Sequence, residues 1–182
     1  MTNVNNEGQN ITQKKKRYFR KLPLISGLIL IYTSFFSTIP LGLSAQNPLI
    51  SLNDIRLYII SVNNIEYYIW GLLENNVAVF TYSELNLENL LSFILWGMFL
   101  FAGIIALIGS AYNEKPVTSK RILKIAIMIL ISVMIYFILV LISFALSTHS
   151  VIKIGWGFYI IILNIIVLIV ATINITDYNE IK

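Results

Sequence analysis

Across residues 22–45, 90–112, 122–147 and 154–173 a single charged side chain occurs, Lys124. Each run is dominated by Ile, Leu, Val, Phe and Met. A helix rises about 1.5 Å per residue, so each run is long enough to cross a hydrocarbon core of about 30 Å. Burying four such runs inside one soluble domain is ruled out by composition. Apolar residues make up 57% of the 182-residue chain and charged residues 12%, whereas a soluble domain carries about a quarter charged residues to cover its surface. The reading is therefore an all-α membrane protein with a four-helix transmembrane bundle.

The first run begins after Lys14, Lys15, Lys16, Arg17, Arg20 and Lys21. A basic start followed by apolar residues also describes a secretory leader, but this run exceeds the usual leader core of about 7–15 residues. It reads as a retained span. Residues 1–21 read as a disordered, basic tail, with the cluster fit for anionic lipid headgroups. Pro116 reads as a helix breaker within a loop at 113–121. Residues 148–153 read as a short turn, so the third and fourth spans form an antiparallel hairpin; residues 174–182 form the other tail.

Basic residues set the orientation. The N-terminal tail holds six, and the stretch between the second and third spans adds Lys115, Lys120, Arg121 and Lys124. The opposite side holds Arg56 and Lys153. Positive residues stay on the cytoplasmic side, so both termini are expected in the cytoplasm of a cell-membrane protein, with residues 46–87 outside. Basic charge placed this way marks topology and not nucleic-acid binding.

Residues 46–87 form the one sizeable stretch outside the spans. Three runs, 55–61, 65–71 and 77–82, are rich in Ile, Val, Tyr, Phe and Trp and separated by Asn63-Asn64 and Glu74-Asn75-Asn76. Short polar connections between β-favouring runs predict an antiparallel meander, an extracellular β-rich cap. The run IEYYIWG is apolar on both alternating faces, so each face needs cover. Tyr67, Tyr68, Trp70 and Phe80 are the candidate interaction residues, with a protein partner or self-association as their expected role.

Little in the chain carries catalytic chemistry. It has no cysteine and one histidine, His149, which excludes thiolate nucleophiles and leaves no histidine cluster for a metal. No catalytic, cofactor or metal residue is assigned, and no enzyme activity is expected. The span interiors lack the ionisable groups of proton relays. Asn164 reads as a packing clamp to a neighbouring hydroxyl. Tyr32, Thr33, Ser34, Ser37 and Thr38 read as hydroxyls bonded back to their own helix. Ala102, Ala106 and Ser110 recur every fourth residue and predict close helix packing.

Four spans, cytoplasmic termini, a β-like first outer loop, a helix leading into the second span and a very short second outer loop resemble the claudin and peripheral-myelin-protein superfamily. That family carries Gly-Leu-Trp and two cysteines in its first outer loop. Here Trp70-Gly71-Leu72-Leu73 aligns the Gly-Leu pair and places Leu73 where the family has Trp. Both cysteines are absent, so the family's loop disulfide cannot form. The resemblance implies a surface role in adhesion, barrier formation or membrane organisation, and it transfers no functional residue. The alternative expectation is a small channel or transporter, or an accessory subunit of one.

Overall fold

A computed structural model of the protein describes residues 20–40, 54–75, 77–80, 87–112, 115–146 and 151–175. Four helices carry most of it: α1 (Lys21–Phe35), α2 (Leu87–Ala111), α3 (Pro116–Leu146) and α4 (Trp156–Ile173). The last three are each long and apolar enough to cross a membrane, which makes the chain a membrane protein. Leu139, Leu146 and Leu163 are each more than half exposed. Exposed apolar surface spread along whole helices is unfavourable in water and natural against lipid tails.

Each helix packs against two others: α1 against α2 and α4, and α3 against α2 and α4. The backbone N–H of Arg20 donates to the Ser110 carbonyl at 3.0 Å, and the Ser119 hydroxyl donates to the Gly109 carbonyl at 2.8 Å. These bonds place the starts of α1 and α3 beside the end of α2.

Among the described residues there are also seven short strands: β1 (Thr38–Pro40), β2 (Asp54–Arg56), β3 (Ile60–Val62), β4 (Ile65–Tyr68), β5 (Gly71–Glu74), β6 (Val77–Phe80) and β7 (Ile152–Ile154). β1 pairs with β2. The others form an antiparallel sheet in the order β6-β5-β4-β3-β7. Its strands come from both the α1–α2 and the α3–α4 connections, so those connections meet at one end of the helices. Asn63 and Asn64, both at positive φ (50° and 70°), make the β3–β4 turn. Asparagine tolerates this geometry better than most residues, and it matches the right-handed strand twist.

Several expectations need correction. The run 22–45 is not one helix. α1 stops at Phe35, spans only about 22 Å, and gives way to extended backbone at Phe36 (φ −110°, ψ 139°). The Leu57 N–H donates to the Ser37 carbonyl at 2.8 Å, and Ile39 pairs with Ile55. The strand pairing captures a chain that hydropathy alone would continue as helix. Pro116 starts α3 instead of breaking it, because the first helical residue needs no N–H donor. The short turn at 148–153 runs into a strand: β7 adds to the sheet through Ser61↔Lys153 and its neighbours. The run 65–71 is two strands, folded back at Ile69-Trp70 so that Tyr68 faces Gly71 across the turn. Residues 1–19, 41–53, 76, 81–86, 113–114, 147–150 and 176–182 lie outside the described residues, and with them the tail reading, Lys14 to Arg17 and His149.

Candidate functional site

Strand register organises the site. Ile60 pairs with Tyr67, Tyr67 with Leu72, and Leu72 with Val79. Directly paired residues point to the same side of a sheet, so these four form one row. All four line a cleft of about 460 Å³ between the sheet and the helices. Leu91, Ser92 and Leu95 of α2 and Tyr136, Val140 and Phe144 of α3 supply the opposite wall. The Tyr67 and Phe144 rings lie 5.9 Å apart across it. No lining residue carries a charge; the polar groups are tyrosine and serine hydroxyls.

The second side of β4 is covered by the chain's own β2–β3 link. Tyr68 and Trp70 are buried and stacked, with ring centroids 4.9 Å apart. Tyr58 meets Tyr68 edge-on at 6.4 Å. Arg56 donates to Glu66 Oε1 at 2.8 Å, and the Tyr68 hydroxyl donates to Glu66 Oε2 at 2.6 Å. The Arg56 side chain is half exposed, so its ion pair contributes little by itself. Its value is positional: the carboxylate holds Tyr68 and Arg56 together. Burial first, and then the bond to Glu66, push the Tyr68 phenol well above its ordinary range. Burial, with a smaller contribution from Glu74, raises that of Tyr67. Both rings therefore serve as neutral hydrogen-bonding groups and not as bases.

The link is held to α4 by two glycines that sequence reasoning passed over. The N–H groups of Gly155 and Gly157 donate to the carbonyls of Ile59 and Tyr58, each at 3.0 Å. A β-carbon on Gly155 would lie 2.1 Å from the Tyr58 carbonyl oxygen, and one on Gly157 would lie 2.3 Å from that of Leu57. The Gly-Trp-Gly spacing was the available signal, legible only once the neighbour is known.

The expected aromatic set is thus divided. Tyr67 is half-buried in the cleft wall, Tyr68 and Trp70 are buried and stacked on each other with Tyr68 also bordering the cleft, and Phe80 ends β6 opposite Gly71. The helix-packing residues are all buried, Ala102, Ala106 and Ser110 on α2 and Asn164 on α4. Ser110 Oγ donates to the Leu107 carbonyl at 2.6 Å. Asn164 accepts from Ser26 Oγ at 2.7 Å and donates to the Ile160 carbonyl at 2.8 Å, linking α1 to α4. The hydroxyls of Thr33 and Ser34 bond back to Ile29 and Leu30. Of the basic cluster, Arg20 and Lys21 are described, at the start of α1. No group of three or more metal-binding side chains occurs among the described residues.

A double-mutant cycle with Ser26→Ala and Asn164→Leu should give a coupling of about 1 kcal/mol, typical of a hydrogen bond between membrane helices. Reversible unfolding in mixed micelles measures it. Additive effects would mean that the bond makes no net contribution.

No family model, no curated protein and no solved structure matches this chain.

Proposed function

We propose that the protein is a non-enzymatic membrane-organising protein, claudin-like in layout, whose extracellular cap docks on a protein partner or on a second copy of itself. The observation that carries this reading is the outer edge of β6. It is the terminal strand of the sheet, and no element among the described residues pairs with its far side. Val77 is 64% exposed and Val79 38%. Edge strands usually carry a lysine, a proline or a bulge that discourages pairing. β7, at the opposite edge, has exposed Lys153; β6 reads Val-Ala-Val-Phe. A bare apolar edge is a template for strand addition.

The sidedness rests on two supports. The sheet gathers the α1–α2 and α3–α4 connections at one end, and the basic residues Lys115, Lys120, Arg121 and Lys124 lie at or near the start of α3, at the other. A channel within one copy is less well supported. Leu30, Ala102, Leu130 and Leu168 have no exposed surface, so the helices meet in a packed interior. The absence of cysteine makes the test direct. A single Ala78→Cys should react with an impermeant maleimide added outside intact cells, and mild oxidation should yield a disulfide dimer or a captured partner. Lys153→Cys, at the guarded edge, should label without crosslinking. Labelling of Ala78→Cys only after permeabilisation would overturn the orientation, and labelling without any crosslink would overturn docking through β6.

A further inference from the structure

We infer that the cleft beneath the sheet is a lipid site that takes one acyl chain of an outer-leaflet phospholipid. Its depth is the first argument. Lys124 is the last charged residue of α3. At 1.5 Å per residue, Tyr136 stands about 18 Å and Ser143 about 28 Å beyond it along the helix. On α2, Leu91 stands about 28 Å from Ser110, the residue that meets Arg20 at the charged end. Against a hydrocarbon core of about 30 Å, the α2 wall lies in its outermost third and the α3 wall runs from just past its middle to its outer boundary. The cleft is thus at lipid depth, although its floor is a sheet.

The lining is the second argument. It has no charge, and most of its wall is aliphatic or aromatic, including Leu72, Val79, Leu95 and Val140. Water there would find few partners, whereas an alkyl chain would bury its surface against these side chains. Its hydroxyls include those of Ser143, near the outer boundary, and of Tyr67 on the sheet. They are placed to meet the ester groups of a lipid whose tail points inward. The mouth is the third argument. Leu91 and Val79 line the cleft and are also exposed, so the cleft is continuous with the lipid-facing surface of α2 and opens under β6. The site requires nothing of β6 pairing, and failure of the crosslinking above leaves it standing.

The test uses the full chain in phosphatidylcholine vesicles containing a phosphatidylcholine with a mid-chain diazirine. After irradiation, adducts are mapped by peptide mass spectrometry. Adducts are expected on Leu72 and Val79 as well as on Ile138 and Leu139, exposed residues of α3 that serve as the lipid-contact control. Leu73 and Ala78, paired to each other in the row that alternates with the cleft row, should stay unlabelled. Val140→Trp, or the milder Val140→Phe if the first fails to fold, should abolish the Leu72 and Val79 adducts and leave the helix adducts unchanged. Helix adducts without sheet adducts, equal labelling of both sheet faces, or sheet adducts that survive the filled cleft would each overturn the proposal. So would displacement of the sheet adducts by cholesterol and not by unlabelled phosphatidylcholine.

Discussion

Replacing Gly155 by alanine is expected to release the cap from α4 and to destabilise the protein by roughly 3 kcal/mol. The reason is steric and not conformational. Gly155 has φ −96° and ψ 173°, a backbone that any residue adopts. The added methyl carbon, however, would lie 2.1 Å from the Tyr58 carbonyl oxygen and 2.3 Å from its ring. The ring could rotate away, but the carbonyl is fixed by the hydrogen bond it accepts from Gly157. Relief therefore requires the whole β2–β3 link to lift. Overpacking of this kind costs about 1–3 kcal/mol, and each lost backbone bond adds about 1 kcal/mol. Gly157→Ala should act the same way through Leu57. Trp156, between them, is exposed, and Trp156→Leu should leave the cap in place. Limited proteolysis of residues 54–80 reads the release, while far-ultraviolet circular dichroism should show the helices intact. A Gly155→Ala protein whose cap remains protease-resistant would contradict this account of how the cap is anchored.

That anchor also marks where sequence reading stops. The spans α2, α3 and α4 were legible because a charge-free run of that length has few other fates. The Asn63-Asn64 turn was legible because the two asparagines sit between β-favouring runs and can take positive φ. The end of α1 was not. Residues 36–45 carry no charge and extend the apolar run, and their one strong breaker, Pro40, lies five residues past the end of α1; what pairs with the chain there is a strand, Asp54–Arg56, well beyond any local window. The Ile69-Trp70 turn carries no Gly, Pro or Asn within its two residues, so IEYYIWG reads as one strand; Gly71, at φ 155°, follows the turn. β7 is too short to carry an alternating pattern. At the site, the sequence indicated that both faces of the aromatic run need cover, but it could not show that Tyr58 and Arg56 from the same chain cover one of them. Tyr68 and Trp70 were legible as important and misread in direction: their partners are internal. The bare edge falls instead on Val77 to Val79, three residues without chemical character of their own.

Two helix glycines make opposite predictions, which permits a sharp comparison. Gly27→Val should destabilise the protein by about 3 kcal/mol, whereas Gly97→Ala should stabilise it by up to about 1 kcal/mol. A β-carbon at Gly27 would meet the Gly103 carbonyl oxygen at 2.8 Å and Leu107 at the same distance. The leucine can shift, but the carbonyl belongs to the α2 backbone and cannot. Removing glycine from a helix interior gains about 1 kcal/mol in backbone entropy, so Gly27→Ala should come out only mildly destabilising, and the branched valine makes the clash dominate. At Gly97 nothing lies within 4 Å of the added carbon, so the entropy gain stands alone. The contact at Gly27 matters beyond its energy. α1 is too short to cross the core unaided, and its placement relies on Gly27 against Gly103, Arg20 against Ser110, and the Trp96 indole donating to the Ser34 carbonyl at 2.9 Å. Separating α1 from α2 should therefore also expose Trp96, visible as a change in its fluorescence at a denaturant concentration where α2–α3 packing persists. Equal effects of Gly27→Val and Gly97→Ala would show that α1 does not depend on this close approach for its position.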